Sequence, residues 1–240
     1  MPSSPSAPTP PAPSDFSPLP LPQPGLARLV SIAYPPLLLS AYAASFSSII
    51  AAPAPALLTL LPLTAALQVF YAVLCLPLSA QNSNSKAQPA KAVQRKKSRH
   101  GDWIPRLSTA LIALIISLSL GTAVLAITLV LFGAPITTHI PETLACAAHM
   151  ALLAGVPLVY VHGVDAERWR AVAALLMPMD EVYGAAVGVL LGVWIGAIPI
   201  PLDWDREWQK WPCTIVTGAY LGWAAGKALG VGLRGKVVVV

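Results

Sequence analysis

Charged residues are scarce in this chain. They make up 10% of the 240 residues, whereas 56% of the residues are hydrophobic and the mean hydropathy is +0.68. A soluble domain has about 25% charged residues, because its surface must face water. The scarcity of charge therefore excludes an ordinary soluble fold and favours a chain whose main solvent is lipid.

Cysteine and histidine are also few. Cys75, Cys146 and Cys213 lie in or beside apolar segments and form no CxxC pair, and the sequence has 4 histidines. His139 and His149 would be about 15 Å apart along a helix, which is too far for one metal ion. The sequence thus favours neither a disulfide framework nor a zinc site, and no cofactor is predicted. We expect buried or membrane-facing thiols, and histidines that make hydrogen bonds in loops or at helix ends.

The hydrophobic residues are gathered in segments of about 20 residues, the length at which a helix crosses a bilayer. These segments lack the two-residue alternation of barrel strands, so their backbone groups must pair within helices. We predict an all-α polytopic membrane protein of about six transmembrane helices, with glycine-ladder packing in the last two. The predicted spans are Arg28 to Ile50, Pro55 to Ala80, Leu107 to Phe132, Thr143 to Val161, Val182 to Ile200 and Pro212 to Leu233.

The chain divides into five regions by composition. Ten prolines among the first 24 residues leave too little apolar surface to fold, so residues 1–27 are predicted to be a disordered cytosolic tail. A first helical hairpin at 28–80, a basic cytosolic loop at 81–106, a four-helix membrane region at 107–233 and a short cytosolic tail at 234–240 follow. Prolines in the first two spans leave kinks or a re-entrant segment open as alternatives to a simple hairpin.

Basic residues indicate the orientation in the membrane. If the N-terminus is cytosolic, that side carries 12 of the 15 Lys and Arg, and the other side carries Arg206 and Lys210. Because cytosolic loops are enriched in Lys and Arg, we expect both termini in the cytosol. Seven basic residues lie between Lys86 and Arg106, which favours contact with anionic headgroups. Lys227, near the cytosolic end of the sixth span, is expected to snorkel to the headgroups rather than to act as a buried functional charge.

The last two spans each carry glycine at every fourth position. The helix-packing glycines are Gly184, Gly188, Gly192 and Gly196 in the fifth span, and Gly218, Gly222, Gly226 and Gly230 in the sixth. In lipid, small residues let helices approach closely enough for dispersion contacts, which are a main source of association energy. Two arrangements are open: the grooves face each other in one hairpin, or part of their surface receives a helix of another protein.

The loop between these spans is the densest polar and aromatic segment of the chain. Its three tryptophans recur at i, i+4 and i+7, which predicts a short interfacial helix with indoles at headgroup depth. The candidate partner-binding or lipid-binding residues are Asp203, Trp204, Asp205, Arg206, Trp208, Gln209 and Trp211. Catalysis by the loop carboxylates would also need a nucleophile or metal-bound water and an enclosed site, so no catalytic residue is predicted.

Two stretches resemble a known family. Residues Trp194 to Pro212 read Trp-Ile-Gly-Ala-Ile-Pro-Ile-Pro-Leu-Asp-Trp-Asp-Arg-Glu-Trp-Gln-Lys-Trp-Pro and closely resemble the signature of the PIG-F family, including its fungal members. Leu131-Phe-Gly-Ala-Pro135 and Glu142-Thr143 resemble the start of the same region in that family. Glu207 stands where many relatives have Pro, and Ile198 stands where Phe is expected. The resemblance covers about Leu107 to Gly230, and residues 1–106 are expected to add little to it.

The resemblance implies an endoplasmic reticulum membrane protein of glycosylphosphatidylinositol-anchor assembly. It implies a non-catalytic subunit that binds and stabilises large membrane-bound transferases, which move ethanolamine phosphate from phosphatidylethanolamine to mannoses of the anchor precursor. The expected partners are those catalytic subunits and membrane lipids, with no nucleic acid. The alternative is a lipid-binding enzyme or transporter in which Asp203, Asp205 and Arg206 contact an ethanolamine phospholipid or a lipid-linked glycan directly.

Overall fold

The computed structural model describes residues 16–22, 25–78, 103–202 and 204–237. Its regular structure within these ranges is helical, without strands, which confirms the all-α prediction. Most of the predicted tail and basic loop, together with Asp203, lie outside the described residues. The helices of the described part are α1 (Leu26–Ala51), α2 (Pro53–Cys75), α3 (Trp103–Leu131), α4 (Ile140–His162), α5 (Ala166–Ala173), α6 (Glu181–Ala197) and α7 (Cys213–Gly232).

Four of these helices, α1 to α4, combine the length and the apolarity needed to cross a membrane. They correspond to the first four predicted spans. Helix α6 has 17 residues and so extends about 25 Å, less than the roughly 30 Å of hydrocarbon. Helix α7 has 20 residues, but it is not among the helices that are both long enough and apolar enough to cross a membrane. The number of six spans therefore stays a prediction.

Helices α1 and α2 pack as a hairpin joined at Ala52. Pro53 opens α2, where a helix needs no backbone donor, so the chain restarts there without losing a hydrogen bond. Pro35 and Pro36 lie inside α1 and Pro62 lies inside α2, and the helices continue through all three. Pro53 thus marks the turn of the hairpin, and the three prolines inside the helices break neither of them.

Helix α4 is the centre of the bundle. Of its most apolar 18-residue window, 83% is buried, against 17% for the corresponding windows of α1 and α3. Helices α3 and α4 each contain a π-helical turn, Ser117–Gly121 and Ala151–Gly155. The two turns lie side by side, because a Cβ added at Gly155 would be 3.0 Å from Ser117 Oγ. Glycine at this position lets α3 approach the central helix.

The start of α6 is linked by hydrogen bonds to Leu19 and, through Leu19, to Arg234. The Asp180 carboxylate caps α6 by accepting hydrogen bonds from the backbone of Val182 and Tyr183, and it also accepts one from Leu19 N at 3.2 Å. Arg234 donates to the Leu19 carbonyl at 2.7 and 2.9 Å. Burial raises the pKa of the Asp180 carboxyl, and these backbone donors act in the opposite direction. Asp180 and Arg234 thus hold the backbone of Leu19 within the predicted tail, while the disorder of residues 1–27 stays a prediction.

Candidate functional site

Helices α6 and α7 are in backbone contact through their glycines. A Cβ added at Gly188 would lie 2.8 Å from Gly226 Cα, and one added at Gly192 would lie 2.9 Å from Gly222 Cα. Side-chain carbons do not approach backbone this closely, so no larger residue fits without separating the helices. The two grooves face each other and leave no room there for a further helix. The contact continues through Gly184, Gly196, Gly218 and Gly230.

A buried ion pair lies beside one end of this contact. Lys227 Nζ is 2.8 Å from Glu181 Oε2, and both residues are 5% exposed. Lys227 also donates to the Tyr71 hydroxyl, and Ser31 Oγ donates to Glu181 Oε2 at 3.2 Å. The prediction that Lys227 snorkels is wrong, because a carboxylate on the neighbouring helix neutralises its charge inside the bundle. The pair connects α6 and α7 to α1 and α2.

An aromatic cluster lies beside this ion pair, because Lys227 Nζ is 4.2 Å from the centroid of the Tyr71 ring. Tyr34 stacks on Tyr71 with ring centroids 4.6 Å apart, and it meets Trp223 edge-on at 5.4 Å. All three rings are 2% exposed or less. Aromatic pairs in these geometries add to the stabilisation from burial and fix the orientation of the rings. The Tyr71 hydroxyl is thereby held toward Lys227.

A second polar network surrounds His149, which is fully buried inside α4. Its Nε2 lies 3.0 Å from the Leu57 carbonyl oxygen, and its Nδ1 lies 2.8 Å from the Tyr220 hydroxyl. Because a carbonyl only accepts, Nε2 carries the hydrogen of the neutral ring and Nδ1 accepts from Tyr220. The Tyr220 oxygen is 2.9 Å from Thr64 Oγ1, whose single hydrogen also faces the Leu60 carbonyl at 3.1 Å. The prediction of a loop or helix-end position is wrong for His149, whose partners come from α2 and α7.

The other histidines and the cysteines of the described residues are dispersed. His139 and His162 lie at the two ends of α4. His139 Nδ1 is 2.8 Å from Thr138 Oγ1, as the predicted hydrogen bonding requires, but neither ring nitrogen of His162 has a partner among the described residues, so that prediction is wrong for His162. Cys75, Cys146 and Cys213 are free and buried, which confirms the expectation for the thiols. Within the described ranges, no group of three His, Cys, Asp or Glu side chains is close enough to hold a metal ion.

The loop after α6 is organised by Gln209. Its Nε2 donates to the carbonyls of Pro199 and Leu202, both at 2.7 Å, and its Oε1 accepts from Arg206 N at 2.9 Å. Within the described part of the loop, the helical structure is a single 3-10 turn, Glu207–Gln209. The predicted interfacial helix is therefore wrong. A side chain that bonds backbone groups on both sides of the loop folds it back on itself instead.

Three of the predicted binding residues are exposed on this loop, namely Trp204, Asp205 and Arg206. The ring of Trp204 lies 5.9 Å from that of Trp208, which is half-buried. Asp205 has a φ of 47°, in the left-handed region that Asp tolerates better than most residues. Asp203 lies outside the described residues. The loop thus presents an indole, a carboxylate and a guanidinium to the surroundings of the bundle.

The end of the loop is anchored to the central helix. Trp211 Nε1 donates to Thr143 Oγ1 at 3.1 Å, and Thr143 Oγ1 donates to the Pro135 carbonyl at 3.2 Å. Trp211, Thr143 and Pro135 belong to the stretches on which the family resemblance was recognised. These stretches are distant in sequence but meet at one end of the bundle.

Comparison with known proteins identifies the family. The family model described as "PIG-F: GPI biosynthesis protein family Pig-F" matches residues 33–231. The chain belongs to the PIG-F family. The PIG-F match starts inside α1, so the prediction that residues 1–106 add little to the resemblance is wrong. Those residues supply Ser31, Leu57, Thr64 and Tyr71 to the two buried networks.

Fungal proteins are similar to this PIG-F chain over most of its length. A protein of Neurospora crassa named "Glycosylphosphatidylinositol anchor biosynthesis protein 11" is 45% identical over 217 residues, which cover 89% of this chain and 78% of that protein. A protein of the same name from Aspergillus fumigatus is 43% identical, over 85% of this chain and 79% of its own length. A "PIGF/3-ketodihydrosphingosine reductase fusion protein" of Schizosaccharomyces pombe is 37% identical over 48% of this chain and 24% of that protein. No solved structure matches.

Proposed function

We propose that this chain is a non-catalytic subunit of glycosylphosphatidylinositol-anchor biosynthesis. It binds and stabilises membrane-bound transferases that add ethanolamine phosphate to mannoses of the anchor precursor in the endoplasmic reticulum. The names of the fungal relatives support a role in anchor biosynthesis. One structural observation carries the non-catalytic part of the proposal: the polar groups of both buried networks bond to one another across helices.

An acid, base or nucleophile has to reach a substrate. Glu181 and Lys227 are 5% exposed and bonded to each other, and His149 is fixed between Leu57 and Tyr220. These contacts connect the helices and leave the groups no access to a bound molecule. This arrangement is typical of a rigid helical body, which suits a protein that supports a partner.

The loop after α6 is the surface that we assign to the partner. Hydrogen bonds of Gln209 and Trp211 fix the conformation of the loop, while Trp204 and Arg206 remain exposed. Trp and Arg are the residues that most often dominate binding at protein interfaces. A partner that docks here meets a surface that is already folded, so little ordering entropy opposes binding. Membrane helices of the partner contact the outer apolar faces of the bundle, since the glycine grooves are filled.

The distribution of Lys and Arg supports the orientation of the proposal. With the six predicted spans, 12 of the 15 basic residues fall on the same side as the N-terminus, and the positive-inside bias makes this the cytosolic side. The loop with Trp204 and Arg206 then faces the lumen of the endoplasmic reticulum. Both termini are cytosolic in this arrangement.

Replacing Trp204, Arg206 and Trp208 with Ala is expected to lower the amount of transferase bound to this chain. Loss of one interface hot spot typically costs about 2 kcal/mol, so affinity should fall roughly 30-fold or more. The measurement is the yield of transferase recovered with the tagged chain after extraction in mild detergent. Trp103→Ala removes an exposed indole at the other end of the bundle and should leave the yield unchanged.

Two results would count against this proposal. Normal recovery of the transferase with normal anchor processing would remove the loop from the interface. A purified chain that by itself transferred ethanolamine phosphate, or moved an ethanolamine phospholipid across a bilayer, would support the lipid enzyme or transporter instead.

A further inference from the structure

The segment that precedes α1 has an unusual sequence. Residues 16–22 read Phe-Ser-Pro-Leu-Pro-Leu-Pro and form no regular secondary structure. Proline has a fixed φ and lacks a backbone N–H, so alternating prolines favour an extended polyproline conformation and leave few donors for other contacts. From Pro18 to Pro22, the residues that keep a backbone N–H are Leu19 and Leu21. The two leucines are therefore the positions at which this part of the segment can donate from its backbone.

Burial along the segment recurs every third residue. Leu19 is 5% exposed and belongs to the hydrophobic core, and Phe16 and Pro22 are half-buried, whereas Ser17 and Pro20 are exposed. A polyproline helix has three residues per turn, so residues 16, 19 and 22 lie along one of its faces. This pattern indicates that the segment docks on the bundle through one face, with Leu19 at the centre.

The backbone of Leu19 bridges two helices. Its N–H donates to Asp180 Oδ2 at 3.2 Å, and its carbonyl accepts two hydrogen bonds from Arg234 at 2.7 and 2.9 Å. Asp180 caps the start of α6, and Arg234 follows the end of α7. Pro18, the other half-buried residue of the segment, has its Cγ 3.8 Å from a Cβ added at Gly235. An acidic and a basic side chain thus bind both backbone groups of one leucine.

The segment docks where the glycine contact of α6 and α7 ends. Gly230 packs against the backbone of Asp180, and beyond it the two chain segments pair through their own backbone. Met179 N donates to the Lys236 carbonyl at 2.8 Å, and Gly235 N donates to the Met179 carbonyl at 2.9 Å. Because Glu181 follows Asp180 directly, this end of the contact also carries the anion of the buried ion pair.

We infer that residues 16–22 form a detachable strap, which locks the ends of α6 and α7 together by docking Leu19 between Asp180 and Arg234. Its prolines favour the docked conformation in advance, so little conformational entropy opposes docking. Detachment loosens this end of the two helices but leaves their glycine contact closed, because that contact is made by the backbones of α6 and α7 themselves. The strap is thus a conformational device within the chain and does not depend on the transferase.

Hydrogen exchange of the full-length chain in detergent tests this inference, because it measures the opening of each part of a structure separately. In Leu19→Ala, the amides of residues 179–184 and 233–237 are expected to exchange at least tenfold faster. Burial of a leucine side chain accounts for a factor of this size. The amides of residues 188–192 in the middle of α6, and the unfolding temperature, should stay unchanged.

Two matched controls and a second variant separate the contacts of the strap. Leu21→Ala makes the same change at a leucine that is 48% exposed, and it should leave exchange unaltered. Arg234→Gln removes the cationic donor to the Leu19 carbonyl and should accelerate exchange at residues 179–184 about tenfold, as expected for a hydrogen bond to a charged group. Arg28→Gln, at an exposed arginine of α1, should have no such effect.

Two results would overturn the inference. Unaltered exchange at residues 179–184 in both Leu19→Ala and Arg234→Gln would show that the segment does not lock α6 to α7. Equal acceleration at residues 188–192, with a lower unfolding temperature, would show that the segment is an integral part of the fold rather than a detachable strap. Failure of Leu19→Ala to fold would be the extreme form of this second result.

Discussion

Replacing Gly188 and Gly192 together with leucine is expected to abolish the folded protein. Each glycine touches backbone of α7, which cannot move aside as a flexible side chain would. Overpacking costs about 1–3 kcal/mol or more at each site, against a total stability of about 5–15 kcal/mol. Lipid gives no compensating drive that would bring the separated helices back together. Loss of the α6–α7 contact also separates Glu181 from Lys227.

The amount of monodisperse protein after detergent extraction, and its unfolding temperature, measure this effect. A single Gly188→Ala should already lower the unfolding temperature. Gly232→Leu is the matched control, because this glycine ends α7 and has no atom of a neighbouring residue within 4 Å of an added Cβ. A double variant as stable as the control would show that the two helices do not pack through their glycines.

Lys227→Met is the second change with a large expected effect. It leaves the Glu181 carboxylate buried without its cation, which typically costs about 3–5 kcal/mol. Glu181→Leu leaves the opposite charge unpaired and should cost a similar amount. Combining Glu181→Leu with Lys227→Met removes both charges, so the double variant should recover most of the lost stability.

A double-mutant cycle in unfolding temperature tests this coupling. Lys210→Met is the control, because Lys210 forms an ion pair with Glu207 on the exposed loop and such pairs contribute about 0–1 kcal/mol. If the effects of the two single changes simply add in the double variant, Glu181 and Lys227 do not stabilise the bundle as a pair.

The helices could be predicted from the sequence because their signal is local. A run of about 20 apolar residues has few alternatives in lipid, and prolines near residue 53 mark a turn. The four-residue glycine spacing likewise identified which faces of α6 and α7 would allow close contact. The paired π-helical turns of α3 and α4 had no such signal, since they arise where Ser117 packs on Gly155.

Predicting the partner of Lys227 requires knowing whether the two glycine ladders face each other, and the sequence left this open. Only if the two glycine ladders face each other do Glu181 and Lys227 come to the same level, because Gly184 then lies opposite Gly226. With that register, a lysine in one apolar helix and a glutamate in the next would have indicated an ion pair. Snorkelling was the simpler expectation for a single helix considered alone.

The conformation of the loop could not be read from its periodicity. Three tryptophans at helical spacing fit one face of a helix, but Gln209 bonds to Pro199 and Leu202 across 10 and 7 residues. Such contacts depend on the side chain reaching back over the loop, and the spacing of the tryptophans along the sequence does not indicate them. The anchoring of Trp211 to Thr143 is likewise a contact between distant segments.

Accessibility labelling of the loop tests the central claim most directly, because the proposed interface with the transferase requires the loop to face the lumen. Glu207→Cys and Glu167→Cys place thiols at exposed positions beyond opposite ends of α6, while the native cysteines are buried. In sealed microsomes, an impermeant thiol reagent should label Glu167→Cys at once and Glu207→Cys only after permeabilisation. Immediate labelling of Glu207→Cys in intact vesicles would place the loop in the cytosol and contradict the account.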